Sequence, residues 1–459
     1  MLVGCAGLKG GGNNGGNNGG GGTTPPPPPA PTFKTSVNHI VLMMQENRSF
    51  DEYFGQLNKY RASKGLSTEV DDLSKVNNVL LRGWDVPNDR PSDTPTQAPF
   101  KMVSSCIHDL SSSWDEAHSD MNLDNKNNPG DPPPMNGFAA MAGGFSAHNP
   151  TAGGTDTDGK RAMGYYESDQ LTFYYWAATQ FATSDRWFSA APTRTQPNRM
   201  FFLAATSNGY AFPGDNNHPE INMAGVKNIF ELLQNAGITW KVYVSDGISA
   251  SDPTGSTYMD YFDAFTKAHT DHFVPATQFA TDAANGTLPQ VALIESGTES
   301  GRDEHPQNPV DKGANYVRDF VVALMNSPSW KDSVMFVTFD EGGGFYDHVP
   351  PMKTVSPDGK KPIALQPNEA QGDFDITGFR VPLMVISPFT KPGFVSHTPA
   401  DFTALLKFVE KRFDLPNLNA RDAFQPDMDA EYFDWTAPNL SSTNPPAQPS
   451  LPCTQDQLP

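Results

Sequence analysis

The stretch His39-Ile40-Val41-Leu42-Met43-Met44, followed at once by Gln45-Glu46-Asn47-Arg48-Ser49-Phe50-Asp51, decides the fold of this chain. An uninterrupted apolar run of this length reads as a strand buried on both faces, the form strands take inside a parallel sheet. Runs of the same kind recur at Trp240 to Val244, Val291 to Ile294, Val334 to Phe339 and Val381 to Ile386, each bounded by polar or turn residues. Helical patterns lie between them: Leu171 to Phe181, Arg199 to Ala205, Ile229 to Ala236 with Gly237 as a stop, Tyr316 to Met325, and Phe402 to Phe413. Strands alternating with helices predict an α/β fold with a largely parallel central sheet and helices on both faces. Ligands of such a sheet bind beyond the carboxyl ends of its strands.

The chain has 459 residues, enough for one large α/β domain or two ordinary ones. Its 42 Pro and 39 Gly imply long surface loops, where site residues usually sit. The Asn-, Gly- and Pro-rich segment from Asp124 to Asn149 is expected to be one such loop. A formal net charge of −20 argues against a nucleic-acid partner, which would require a basic stripe, and disfavours tight docking on a strongly anionic membrane. Peripheral contact with a phospholipid surface stays compatible with it. No apolar run reaches the roughly eighteen residues of a spanning helix, so no integral membrane segment is expected.

Leu2-Val3-Gly4-Cys5 matches the pattern at which bacterial lipoprotein precursors are cut. A Gly/Asn-rich tract and the Pro run Pro25 to Pro29 follow, giving a flexible tether that ends in a stiff spacer. The basic and apolar parts of a signal peptide do not precede Leu2, which reads as a truncated or wrongly assigned start. Residues 1–35 are thus a lipoprotein N-terminus or an ordinary disordered tail, 36–440 the folded domain, and 441–459 a Pro-rich C-terminal tail. The expected location is exported: periplasmic, anchored to the cell envelope, or secreted. With Cys5 set aside for lipid, Cys106 and Cys453 remain, either as one disulfide holding the tail or as a free buried pair.

Several constellations carry chemistry. Glu46-Asn47 at the end of the first strand offers oxygen ligands for a hard divalent cation, or else a polar turn with Asn47 or Ser49 capping a helix. Phe339-Asp340-Glu341-Gly342-Gly343-Gly344-Phe345-Tyr346-Asp347-His348 runs a buried strand straight into adjacent carboxylates, which is costly unless they are paired or bound to metal. Thr193-Arg194-Thr195-Gln196-Pro197-Asn198-Arg199 opens a helix with a threonine at the cap, where free amides and the helix dipole favour an anion; a plain Thr cap is the alternative. Asp303-Glu304-His305-Pro306, and His118 in Trp114-Asp115-Glu116-Ala117-His118, complete the set, although single histidines are more often surface or core residues than ligands.

In this order the segments resemble the bacterial phosphoesterase family that contains phosphatidylcholine-type phospholipases C and acid phosphatase A, within the alkaline phosphatase superfamily. The resemblance spans roughly residues 36 to 425. It rests on Ile40 to Gly55, Met163 to Tyr166, Thr195 to Arg199, Gly237 to Tyr243, Glu304 to Pro306, Asp340 to Pro351, Arg380-Val381-Pro382 with Ile386-Ser387-Pro388, and the helix Phe402 to Phe413. It implies an alkaline-phosphatase-like fold and one divalent metal ion (Mg, Ca, Mn or Zn) held by Glu46, Asn47, Asp340 and Glu341, with the nucleophile Thr195 completing the sphere. Thr195 rather than Thr193 stands two residues before Pro197-Asn198-Arg199, the register the family uses. The resemblance also implies that His118, His305 and His348 surround the phosphoryl group.

The implied activity is phospholipase C hydrolysis through a phosphothreonine, with broad phosphomonoesterase action on small phosphate esters as the rival and a surface-tethered binding protein without turnover as the third reading. Tyr165, Tyr166, Trp114 and Trp187 are candidates for a cation cage, although each reads more readily as core or rim packing. Two departures from the family stand out: three glycines follow Asp340-Glu341 where many relatives place His or Asn before the last two, and the large C-terminal extension of the haemolytic branch is lacking.

Overall fold

The computed structural model describes residues 31–441, 443–455 and 457–458. The Cys5 lipidation motif, the Gly/Asn tract and the Pro run therefore lie outside the described residues. The strands β1 His39–Gln45, β2 Ala182–Ser184, β3 Trp240–Val244, β4 Phe273–Pro275, β5 Val291–Ile294, β6 Ser333–Phe339, β7 Leu383–Ile386 and β8 Phe394–Ser396 form an eight-stranded sheet in the order β8-β2-β7-β6-β1-β5-β3-β4. Only β7 runs against the rest, antiparallel to β6 and to β2. β1 lies at the centre, with Ile40 opposite Val291 on one side and Val334 on the other. The α/β reading of the apolar runs is met. The missed strands, β4 and β8 at the two edges and β2 beside β8, have three residues each, too few to leave a periodic signal.

Successive strand residues point to opposite faces, so an unbroken apolar strand needs cover on both. The helices α1 Phe33–Ser36, α2 Phe50–Phe54, α3 Trp114–Met121, α4 Phe138–His148, α5 Thr172–Gln180, α6 Thr195–Ala204, α7 Ile229–Asn235, α8 Val310–Met325 and α9 Ala404–Phe413 surround the sheet. Phe336 of β6 packs edge-on against Phe408 of α9 at 5.0 Å. Three residues on, and so on the other face, Phe339 meets Tyr53 of α2 at 5.2 Å and Tyr174 of α5 at 6.1 Å. Each buried Phe contributes about 2 to 3 kcal/mol of hydrophobic stabilisation.

The segment expected as one long loop from Asp124 to Asn149 contains α4. Its glycines serve packing rather than turning: a Cβ on Gly143 would stand 2.3 Å from the Thr157 carbonyl oxygen, and one on Gly144 3.0 Å from the Trp84 ring. Phe33 is buried and lies 4.6 Å from Phe408, so ordered packing begins before residue 36. At the other end Cys106 and Cys453 are joined in a disulfide, Ser105 N donates to the Pro452 carbonyl at 2.8 Å, and Gln448 is buried.

Candidate active site

The site gathers at the carboxyl ends of β1, β5 and β6. β1 delivers Gln45-Glu46-Asn47, β6 delivers Asp340-Glu341, and the backbones interlock: Asp340 N donates to the Gln45 carbonyl at 3.0 Å and Arg48 N to the Glu341 carbonyl at 3.0 Å. Asn47 adopts φ +58°, a left-handed turn that Asn tolerates, and Asn47 N donates to Asp340 Oδ1 at 2.9 Å. Gly343 allows this approach. At φ +67°, a Cβ there would sit 2.3 Å from the Asn47 carbonyl oxygen. Ser49 caps α2 by accepting from Glu52 N at 3.2 Å, so the helix cap and the Glu46-Asn47 pair coexist within one turn.

Thr195 joins this cluster from α6. It is the first helical residue, with Arg194 at the cap position instead of Thr195. Its Oγ1 donates to Glu46 Oε2 at 3.0 Å and lies 3.5 Å from Asn47 Oδ1. One helical turn later, Arg199 Nη2 donates to the other oxygen, Glu46 Oε1, at 2.6 Å, and Tyr258 Oη donates to the same oxygen at 2.9 Å. Glu341 accepts from Ser112 Oγ at 2.6 Å and from Gly343 N at 2.7 Å. All five residues are buried: Glu46 and Asp340 fully, Glu341 to 3% exposure, Asn47 and Thr195 to 6%.

Three buried carboxylates in so small a space do not all ionise unaided. Burial pushes Glu46 up, but the Arg199 guanidinium and then His305 outweigh it and bring it down to about 2. Asp340 goes the other way, far above the usual range, through burial and then the charge on Glu46. Burial lifts Glu341 to about 7, with Ser112 and Gly343 N opposing. Glu46 and Asp340 thus shift in opposite directions, as two crowded buried carboxylates do when only one of them has a cationic partner beside it. Asp340 Oδ2 is moreover buried with no hydrogen-bond partner. Oxygen donors, excess negative charge and an orphaned carboxylate oxygen are what a hard divalent cation would complete, so the residues fit one.

The histidines divide. His305 Nδ1 is held by Asp303 at 2.6 Å, and its Nε2 lies 3.8 Å from Glu46 Oε2. Burial disfavours its charge, yet Glu46 and Asp303 raise it to about 9. His348 belongs to a different network: Nδ1 meets Asp51 at 2.6 Å and Nε2 meets Asp71 at 3.1 Å, so both ring nitrogens are occupied. His118 lies in α3 with Nδ1 on the Trp114 carbonyl at 2.7 Å and its ring 4.5 Å from the Trp114 ring. Burial drops it to about 4, and among the described residues no bond or ion pair links it to the Thr195 cluster. Of the proposed cage residues, Trp114, Trp187 and Tyr166 are buried core side chains; Tyr165 alone is half-buried.

Asp51, Asp347 and His348 bring one ligand atom each within 4.8 Å of one another, a second arrangement able to hold a metal. Arg380 already balances it, with Nη2 3.0 Å from Asp51 and Nε 2.9 Å from Asp347. The Thr195 cluster has the unanswered oxygen; the His348 cluster does not. Arg199 and Tyr258 are the functional residues that sequence reasoning passed over. Arg199 had a signal, since four residues after Thr195 on a helix is the same face. Tyr258 opens a 3-10 helix of five residues, Tyr258–Phe262, too short to leave a pattern.

The sequence model of the Phosphoesterase family matches residues 37–416. Phospholipase C B of Mycobacterium tuberculosis is 29% identical over 449 residues, covering 90% of this chain and 81% of that protein. Non-specific phospholipase C3 of Arabidopsis thaliana is 30% identical over 445 residues, covering 92% and 77%. The solved phosphonate monoester hydrolase from Silicibacter pomeroyi covers 55% of this chain and 70% of its own at 12% identity, with a TM-score of 0.33, a likeness too slight to carry chemistry.

Proposed function

This chain belongs to the phosphoesterase family, a family of hydrolases acting on phosphoester bonds, and from that premise we propose that it is a metal-dependent phospholipase C with Thr195 as nucleophile. One observation carries the reading: the Thr195 hydroxyl is bonded to Glu46 and adjoins Asn47, while Asn47 is bonded to Asp340, whose second oxygen has no partner. Relatives named phospholipase C across most of the chain supply the substrate class, a phospholipid. The divalent ion would be held by Glu46, Asn47, Asp340, Glu341 and Thr195 rather than by the Arg380-balanced cluster. Bound there, it would lower the pKa of the threonine hydroxyl and share the charge of the phosphoryl oxygens.

The remaining steps fall to the chain. Glu46 orients Thr195 Oγ1, and Arg199 with Tyr258 holds Glu46 in place. Thr195 Oγ1 attacks phosphorus and releases its proton to water; the bond from phosphorus to the diacylglycerol oxygen breaks. His305, turned by Asp303 so that Nε2 faces the cluster, gives that oxygen its proton. Water then displaces the phosphorylated headgroup from Thr195, His305 takes a proton from the water, and the threonine oxygen regains one from solvent. His348 and His118 have no part in these steps.

The disulfide Cys106–Cys453 supports an exported location, since such bonds persist in oxidising compartments. No helix among the described residues is long and apolar enough to cross a membrane. The test is hydrolysis of nitrophenyl phosphorylcholine beside nitrophenyl phosphate, with metal analysis of the same preparation. Diester cleavage that is lost on chelation and restored by a divalent ion is expected. Activity confined to the monoester would replace phospholipase C by phosphomonoesterase.

A further inference from the structure

Beside the cluster lies an open cavity of about 180 Å³ lined by Ser256, Tyr258, Tyr261, Glu295, Ser296 and Thr298, among others. Glu295 directly follows β5, so the cavity stands beyond the carboxyl end of a central strand, next to the one that carries Glu46. Its wall touches the chemistry: Tyr258 Oη and Thr195 Oγ1 donate to the two oxygens of the same Glu46 carboxylate. The Thr195 hydroxyl and the wall of this cavity are thus joined through one carboxylate.

The lining has a definite chemistry. Glu295 is 4% exposed. Its Oε1 accepts from Thr257 Oγ1 at 2.6 Å and from Tyr258 N at 3.2 Å, while Oε2 accepts no hydrogen bond among the described residues. Glu295 makes no ion pair there either, because the neighbouring guanidinium, Arg199, is bound to Glu46. Ser296 is 1% exposed, and neither its hydroxyl nor those of Ser256 and Thr298 are engaged by another described side chain or carbonyl. The cavity thus presents acceptor oxygens and a carboxyl group that burial pushes up, which a group bearing several N–H donors and a positive charge would satisfy and hold ionised. A quaternary ammonium has no N–H to offer. It would need an aromatic cage, but the Tyr258 ring is already taken by Arg199, whose guanidinium carbon lies 4.6 Å from the ring centre. Tyr261 alone is left.

We propose that this cavity is a headgroup subsite for a primary ammonium, with Glu295 as its anionic anchor, so that the protein favours phosphoethanolamine over phosphocholine headgroups. This rests on the phosphoesterase reading of Thr195 and adds to it which alcohol substituent the site selects. The ammonium donates to Glu295 Oε2 and to the hydroxyls of Ser296 and Thr298, and its methylene carbons lie along Tyr261.

Binding, measured apart from turnover, tests it. The metal-loaded Thr195→Ala protein is titrated calorimetrically with O-phosphoethanolamine, phosphocholine and glycerol 1-phosphate. A charged hydrogen-bonded pair predicts phosphoethanolamine to bind about tenfold tighter than either of the others. Glu295→Gln, added to that background, should erase the preference. Thr298→Ala, an exposed position, should reduce it severalfold and keeps the test open if the Glu295 variant does not fold. Equal or tighter binding of phosphocholine, glycerol 1-phosphate matching phosphoethanolamine, or no binding by any of the three overturns the subsite. Hydrolysis of phosphatidylethanolamine and phosphatidylcholine vesicles by the unmutated protein reports separately on the phospholipase reading. Failure there, with the binding preference intact, would remove the activity and leave the subsite.

Discussion

Arg199 Nη2 donates to Glu46 Oε1 at 2.6 Å, one turn along the helix from the threonine hydroxyl that bonds the other oxygen of that carboxylate. A single helical face thus presents nucleophile and counter-charge to one ligand, and nothing else among the described residues forms an ion pair with Glu46 at less than 3.8 Å. Removing a partner from a fully buried ion pair strands the other charge, which costs about 3 to 5 kcal/mol. Arg199→Ala should lower the unfolding free energy of the metal-free protein by roughly that amount in urea. A loss within error of zero would mean that Glu46 simply takes up a proton and that Arg199 has no hold on it.

Asp340 should show the opposite sign without metal. Its Oδ2 is buried and unpartnered, and its neighbours Glu46 and Glu341 repel its charge. Asp340→Asn removes that repulsion, so the metal-free variant is expected to melt at the same temperature as the parent or above it. Chelated and metal-loaded melts should then nearly coincide, while the parent gains stability on loading. A variant that still gained as much from the ion would show that Asp340 is no ligand.

His348 sets a pH-dependent contribution away from the chemistry. Burial works against its charge, but Asp51, by charge and hydrogen bond, and then Asp71 raise it to about 9. A histidine raised above its unfolded value stabilises fully below about pH 6.5 and loses that contribution as pH climbs through the folded value. His348→Gln should therefore cost on the order of 2 kcal/mol at pH 6, with the gap closing by about pH 9. A gap that widened toward alkaline pH would contradict the assignment.

The central strands were legible because burial on both faces leaves an uninterrupted apolar run, as in His39–Gln45 and Ser333–Phe339. The meeting of Glu46 with Asp340 was implied by the family resemblance, and the structure supplies its reason: their strands are parallel neighbours whose ends reach the same edge. Residues 138–148 were not legible, because their glycines look like loop chemistry until Trp84 and Thr157 are seen pressing on them. His348 and His118 illustrate a different limit. A sequence names histidines, but whether a ring faces a phosphoryl group or is held by Asp51 and Asp71, or by the Trp114 carbonyl, depends on contacts between residues distant in the chain. Tyr258, 212 positions from its partner Glu46, was invisible for the same reason.

The most direct test of the account is the turnover rate of Thr195→Ala on a phosphodiester, measured on protein shown to carry the same metal content as the parent. Loss of an attacking oxygen predicts a fall of about a thousandfold or more. A rate within about tenfold of the parent would place the attacking oxygen somewhere other than residue 195.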